Sequence, residues 1–329
     1  MRWIPFPDDS LKVHGLHWFD PASPSLARLP PEAEDKVTPK VWDLSRSPGG
    51  GRIRFRSNTG ELRIRFFVSR PDNRPRSGFD AYVDGEYWSS VVAREDGVHE
   101  STFFSGAERK ERDVTLYLPL FQQFAIHQIG IDSDATIESS STFSRSAPLV
   151  LYGSSIAQGV GAGRPAMSYQ AILSRLLDLD YINLGFGGAG KAEPEMVKLL
   201  TEVDACCFLF DLGKSYGRQD GKAYTAMLET MRQTHPGTPM VCITPIHSTR
   251  EQYDSDYREL SDHTRAVARD AVDSLRQTGD TNLHLIDGLQ LLGPKHSDEF
   301  LEGVHPSDLG HWRMAHRLQE ILCPLITSR

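Results

Sequence analysis

Residues 149–159 read LVLYGSSIAQG, a short apolar run that stops at a glycine and two serines and then opens toward a helix. Four consecutive apolar residues followed at once by turn residues fit a strand buried on both faces better than an amphipathic one. The same unit recurs down the chain. Residues 181–184 (YINL), 205–210 (ACCFLF), 240–244 (MVCIT) and 283–286 (LHLI) are four more such runs. Helical spacing fills the gaps between them: Tyr169, Ile172, Leu173, Leu176 and Leu177 behind Pro165, then Met196, Leu199 and Leu200, and later Tyr224, Met227, Leu228 and Met231. A long helix through Leu260, Val267, Ala271 and Leu275 follows, and a final one starts after Pro306. Five apolar strands alternating with helices imply a parallel sheet covered on both faces, a three-layer α/β/α domain. Such sheets bind ligands outside the carboxyl ends of their strands, so the chemistry is expected in the loops that follow them.

Upstream the period changes. Before residues 133–148, short runs of alternating residues are separated by Gly, Pro, Asn and Asp. Residues 52–56 (RIRFR) and 62–68 (LRIRFFV) flank SNTGE and read as a hairpin, with Ile53 and Phe55 on one face and arginines on the other. Residues 78–88 carry an Asp84-Gly85 turn between aromatic and β-branched residues, a second hairpin signal. Residues 114–120 and 124–131 add further strands, and nothing in residues 1–132 keeps a helical period over three turns. The expectation is an all-β sandwich or jelly-roll module over residues 1–145, joined through Ser139-Ser140-Ser141 to an α/β domain over residues 146–329.

Composition narrows the function classes. The 329-residue chain is 39% hydrophobic and 24% charged, ordinary for a globular protein that buries a real core. A net charge of −8 argues against nucleic acid and anionic membrane as partners. Four cysteines (Cys206, Cys207, Cys242 and Cys323) form no CxxC pair, and Cys206 and Cys207 sit in an apolar run where thiols act as small hydrophobes. The N-terminus shows no basic region leading into an apolar one, so a cytoplasmic, reduced protein is expected. With no HExxH and no Cys/His cluster at ligand spacing, neither metal nor cofactor is implied. Nothing in the sequence bears on oligomeric state.

The loop after the first α/β strand, Gly153-Ser154-Ser155, points a serine hydroxyl out from the sheet, although serines there also serve as ordinary turn and cap residues. At the far end, Glu302-Gly303-Val304-His305-Pro306 follows the last strand and leads into the last helix. Pro306 holds His305 extended, and Glu302 can turn its carboxylate back to the imidazole. Nucleophile, orienting acid and base thus occur in the order Ser155, Glu302, His305. His247, His284, His296, His311 and His316 read as surface or satisfied core residues.

On these motifs the chain resembles the SGNH/GDSL hydrolases, which carry Gly-Asp-Ser, Asn-x-x-x-x-Gly, Gly-x-Asn and Asp-x-x-His-Pro in that order. Gly153-Ser154-Ser155 matches the first, with Ser154 in place of the aspartate. Asn183-Leu184-Gly185-Phe186-Gly187-Gly188 matches the second, and Glu302-x-x-His305-Pro306 matches the last with Glu for Asp. In the third, Gly213-Lys214-Ser215, Ser215 stands where the family has its asparagine. Gly78-Phe79-Asp80-Ala81-Tyr82 and Leu116-Tyr117-Leu118-Pro119-Leu120 resemble the GxDLY module that precedes SGNH domains in a group of bacterial esterases. The resemblance implies a flavodoxin-like catalytic domain and an acyl-enzyme on Ser155. It also implies an oxyanion hole from the N–H groups of Ser155 and Gly188 with Ser215 as third donor, and a small-molecule or carbohydrate ester as substrate.

Three other readings stay open. Residues 185–192 (GFGGAGKA) contain both GxGxxG and GxxxxGK, but Ala192 stands where a P-loop needs Ser or Thr, and the loop follows the second strand of its domain. Changes at Ser154, Ser215 and Glu302 also suit a non-catalytic glycan-binding protein. An acyltransferase would share the same acyl-enzyme.

Overall fold

The structure is a computed structural model that describes residues 1–70 and 78–327. The described chain divides into two compact units, and the division is not one cut in sequence. The first takes in Met1–Pro30, Ser45–Ser144 and Gly163–Ala166; the second takes in Pro31–Leu44, Arg145–Ala162 and Met167–Arg329. Among the described residues, no helix is long and apolar enough to cross a membrane.

The first unit is built from β1 (Arg2–Pro5), β2 (Lys12–His14), β3 (Arg52–Ser57), β4 (Leu62–Arg70), β5 (Phe79–Val83), β6 (Glu86–Val91), β7 (Gly97–Phe104), β8 (Arg112–Tyr117), β9 (Gln123–Ile131) and β10 (Ile137–Glu138). One sheet runs β1-β9-β4-β7. The other runs β10-β3-β8-β5-β6, with β2 also on β3. All pairings are antiparallel. Strict alternation builds the core: Ile53 and Phe55 from one sheet and Leu62, Ile64, Phe66 and Val68 from the other are fully buried in one apolar cluster, while Arg56 and Phe67 face outward.

One sequence expectation is corrected here. β3 and β4 form no hairpin, because they lie in different sheets. Two alternating runs around a short polar loop look the same whether the chain folds back on itself or passes to the facing sheet. The turn is held instead by Asp132, which accepts from the Gly60 N–H at 2.7 Å and donates its own N–H to Thr59 Oγ1 at 3.0 Å. The second hairpin is present: Asp84 and Gly85, both at positive φ, join β5 to β6. The Asp80 of the GxD motif is fully buried and accepts from Ser90 Oγ at 2.6 Å, the Ala166 N–H at 2.9 Å and Arg164 at 3.1 Å.

The second unit begins with most of α1 (Pro39–Ser45), two turns long and too short for a helical period to register in the sequence. Its sheet comprises β11 (Leu149–Gly153), β12 (Tyr181–Gly185), β13 (Cys207–Asp211), β14 (Met240–Ile243) and β15 (Leu283–Ile286), all parallel, in the order β12-β11-β13-β14-β15. Between and after them run α2 (Ser155–Gln158), α3 (Tyr169–Leu177), α4 (Pro194–Thr201), α5 (Lys222–Thr234), α6 (Ser255–Gln277), α7 (Gly288–Leu291) and α8 (Asp308–Thr327). Pro165 heads a separate 3-10 turn, Pro165–Met167, and α3 starts only at Tyr169. Helix α3 packs on α8, and α5 packs on both α4 and α6, so both faces of the sheet are covered. That is why every residue of β11, β12, β13 and β14 is buried.

The chain leaves β11 to one side for β12 and then crosses to the other side for β13, so β11 is the switch point where a crevice opens at the strand ends. Glycines set how tightly that crevice is built. A β-carbon on Gly153 would come within 1.9 Å of the Asp211 carbonyl oxygen, one on Gly190 within 2.0 Å of the Gly153 carbonyl oxygen, and one on Gly185 within 2.2 Å of the Gln158 nitrogen. All three obstacles are backbone and cannot swing aside. Gly185→Ala is therefore expected to lower the unfolding free energy in denaturant melts by about 1–3 kcal/mol, the usual range for overpacking. The control is Gly221→Ala, where the nearest neighbour is Val267 at 3.8 Å; it should change stability by no more than about 0.5 kcal/mol.

Candidate active site

Ser155 is the first residue of α2, immediately beyond Ser154, whose N–H donates to the Asp211 carbonyl at 2.8 Å. This bond ties the Ser154–Ser155 turn to the end of β13. Its Oγ lies 2.9 Å from His305 Nε2. On the other side of the ring, His305 Nδ1 makes a short hydrogen bond to Glu302 Oε1. With the proton on Nδ1 facing that carboxylate, Nε2 is free to accept from the serine. Ser155, His305 and Glu302 are thus brought together in one relay.

The loop carrying His305 is fixed from several directions. The Leu301 N–H donates to the His305 carbonyl at 2.8 Å, and Ser307 N–H to the Glu299 carbonyl at 2.8 Å. Thr249 N–H and Ser248 Oγ both donate to the Gly303 carbonyl, at 2.9 and 2.6 Å. Gly303 sits at φ +84°, a conformation that favours glycine. Ser248 and Thr249 come from the loop after β14; no motif marks them, and only the fold shows that they anchor the histidine loop. Burial pushes the Glu302 carboxyl up, but the His305 ring and the N–H groups of His305 and Val304 outweigh it and hold the carboxyl below its ordinary value.

The second motif forms the other wall. In the turn after β12, Phe186 N–H goes to the Gly153 carbonyl, Gly187 N–H to Gln158 Oε1 at 2.8 Å, and Ala189 and Gly190 N–H to the Phe186 carbonyl. The Gly188 N–H has no acceptor among the described residues, and neither does the N–H of Ser155. Unpaired backbone donors are the kind of group a developing oxyanion needs. Ser215, on the 3-10 turn Gly213–Tyr216, shares a cavity with Ser155, and its hydroxyl has no partner among the described residues. Lys40, which sequence reasoning did not single out, reaches over the same turn, with Nζ 2.8 Å from where a β-carbon on Gly188 would stand.

The same geometry speaks against a nucleotide at GFGGAGKA. Gly185, Gly187 and Gly190 lie against residues 153–158, and the Glu193 carboxylate ahead of α4 bonds back to this loop and to β11 rather than capping the helix. That carboxylate accepts from Lys191 N–H at 2.9 Å and Tyr152 Oη at 2.8 Å. Among the histidines read as structural, His311 is fully buried between the Tyr169 N–H and the Val160 carbonyl, and burial pushes it down to about 4. All four cysteines are free thiols.

Residues 146–323 match the family model described as GDSL-like Lipase/Acylhydrolase family, and residues 1–137 match the GxDLY model, described as the N-terminus of SGNH-hydrolase-type esterases. No curated protein matches the chain. Among solved structures, a proposed GDSL-like lipase from Bacteroides ovatus ATCC 8483 is 27% identical, with 99% of this chain and 98% of that chain covered and a TM-score of 0.88. The salicylyl-acyltransferase SsfX3 from a tetracycline biosynthetic pathway is 23% identical, with 99% and 98% covered and a TM-score of 0.84. A family two carbohydrate esterase from Clostridium thermocellum, in complex with cellohexaose, is 15% identical, with 84% and 95% covered and a TM-score of 0.66.

Beneath the nucleophile lies a carboxylate outside the relay. Asp211 ends β13, is buried, and accepts from Tyr169 Oη at 3.1 Å. Burial pushes its carboxyl up to about 6, although Tyr169 and the Lys214 ammonium pull the other way. Below pH 3.8 both folded and unfolded chains hold this proton, and above about 6 neither does; in between only the folded chain keeps it. The penalty for burying the charge therefore grows as pH rises and levels off above 6, at about 3 kcal/mol for a displacement of this size. Asp211→Asn is expected to gain stability on the wild type between pH 4 and pH 7.5 by up to about that amount in paired denaturant melts. A difference that shrinks as pH rises would reverse the sign and remove this account of the site.

Proposed function

The chain belongs to the GDSL-like lipase/acylhydrolase family, and from that premise we propose that it is a serine esterase that cleaves a carboxylic ester through an acyl-enzyme on Ser155. The observation that carries the reading is the 2.9 Å approach of Ser155 Oγ to His305 Nε2, with Glu302 on the far nitrogen. His305 takes the Ser155 proton as Oγ bonds to the ester carbon. The carbonyl oxygen becomes an oxyanion between the N–H groups of Ser155 and Gly188, with the Ser215 hydroxyl as third donor. The imidazolium, steadied by Glu302, returns its proton to the departing alcohol. Water then enters, loses a proton to His305, and releases the acid as Ser155 regains its hydrogen.

A short acyl ester of a sugar is the proposed substrate, an acetyl group being the simplest case. The fold shared with a carbohydrate esterase supports it. The full-length likeness to an acyltransferase favours one second reading, in which a sugar or other alcohol replaces water in the last step. Supplying an ester with excess alcohol and separating transfer product from free acid discriminates the two.

The relay is tested by substitution. Ser155→Ala and His305→Ala should each cut kcat on an aryl acetate by roughly five to six orders of magnitude. Glu302→Gln should cost roughly two to four. A fluorophosphonate probe should label the wild type and not Ser155→Ala, with unchanged circular dichroism. Labelling that survives Ser155→Ala would place the nucleophile elsewhere.

A further inference from the structure

Ser155 borders a cavity of about 220 Å³ that opens on the β13 and β14 side of the nucleophile, opposite the Gly188 turn. Much of its wall is apolar, from Ile156, Pro245, Ile246, Leu260 and Val304. At roughly 30 Å³ per water in the liquid, it holds about seven water-sized groups, several times an acetyl methyl. An apolar chamber of this size beside the nucleophile suits the acyl side of an ester.

Its wall also carries an ammonium. Lys214 keeps only 12% of its side chain exposed, and its Nζ donates to the Ile246 carbonyl at 2.8 Å and to Glu251 Oε1 at 3.1 Å, beneath the Tyr257 ring at 5.4 Å. An ammonium has three protons, and the third finds no acceptor among the described residues. A structural pair with Glu251 does not require this lysine, because Arg265 already binds both oxygens of that carboxylate at 2.9 and 3.1 Å. Burying a cation in an apolar chamber with one donor uncommitted is costly unless a bound group receives it.

The surrounding charges select what that group is. Glu251 and His247 face Lys214 from the loop after β14, Arg265 and Tyr257 from α6, and Asp211 from β13. Asp262 lies on the exposed side of Arg265, and outside the lining Glu302 acts on Tyr257 while His305 follows the lining residue Val304. Lys214 and Arg265 are balanced by Glu251 and Asp211, which leaves no net charge to hold an anion. A neutral oxygen fits better than a carboxylate.

We propose that this cavity is the acyl chamber and that Lys214 is a specificity-determining residue in it, donating to a neutral hydroxyl or keto oxygen of the acyl group. The proposal rests on Ser155 being the nucleophile and names the acyl class that site prefers. The lysine is pushed down to about 8, chiefly by burial and against the pull of Glu251, so the preference is full below that pH and fades above it as the ammonium loses its proton.

The test uses p-nitrophenyl 4-oxopentanoate against pentanoate and 3-hydroxybutanoate against butanoate, each kcat/KM divided by the ester's alkaline hydrolysis rate. The wild type should favour the oxygenated member by roughly tenfold, the scale of a hydrogen bond from a charged donor. The ratio should fall between pH 7 and pH 9.5. Lys214→Met should bring it near one at every pH, and the hemisuccinate ester should gain nothing over pentanoate. Ratios near one in the wild type, a ratio that ignores pH, or a preference for the hemisuccinate would each overturn the inference while Ser155 still labels with fluorophosphonate. The wild-type ratio and its pH profile decide the matter even where Lys214→Met does not fold. No labelling and no cleavage of any ester would instead bring down the underlying reading and the inference with it.

Discussion

Three stretches of backbone meet at the carboxyl end of β11 closer than a β-carbon permits. Gly153 lies against the Asp211 carbonyl, Gly185 against the Ala157–Gln158 peptide, and Gly190 against the Gly153 carbonyl. The contact does two things at once. It carries the turn after β12 onto the nucleophile loop, and it consumes most polar groups of that turn in local bonds, through the Gly153 carbonyl and Gln158 Oε1. What remains is the Gly188 N–H, which, like the Ser155 N–H, has no acceptor among the described residues. The unpaired donors are thus a by-product of packing, held by backbone rather than by side chains that rotate, and such donors need no reorganisation when charge develops.

The opposite wall is assembled by different means. On the β13 and β14 side, side chains make the connections: Lys214 to the Ile246 carbonyl and Glu251, Arg265 to Glu251, and Ser248 to the Gly303 carbonyl. Glu251 alone joins three elements, since its partners come from the loop after β13 and from α6. The histidine loop hangs from this network through Gly303. Side-chain composition is easier to vary on such a wall than on one where a single added methyl group collides with backbone.

This division explains what was legible in the sequence. The five strands and the loops behind them follow from apolar runs that stop at Gly153, Gly185, Asp211, Pro245 and Asp287, because a strand covered on both faces has little freedom of composition. Ser155 was readable because it stands two residues past the end of β11, whereas Glu302 and His305, separated from β15 by α7 and a 3-10 turn, were readable from their own Glu-x-x-His-Pro spacing. The relations that escaped are those between segments far apart in the chain. β3 and β4 carry the alternation of a hairpin yet serve two sheets, because alternation reports which face is buried and not which strand lies alongside. Lys40 over Gly188, Ser248 on Gly303, and the cavity that Lys214 borders all join residues that no local pattern links.

The departures from the family pattern make sense together. Where the family has Gly-Asp-Ser, this chain has Ser154, whose hydroxyl is buried without a hydrogen-bond partner, 3.0 Å from where a β-carbon on Gly213 would stand. The Oδ1 of Asp211 is 3.9 Å from that same point. A carboxylate at position 154 would therefore be buried beside the one at position 211, and two like charges in one dry site cannot both ionise without a large penalty. The serine avoids the conflict. With a serine at 154, Asp211 and Lys214 line the same cavity and restrain each other: Lys214 draws the Asp211 carboxyl down against burial, and Asp211 holds the Lys214 proton on. The replacement at 154 and the lysine inside the third motif are in this sense one adjustment, which moves charge from the nucleophile loop to the wall of the cavity beside it.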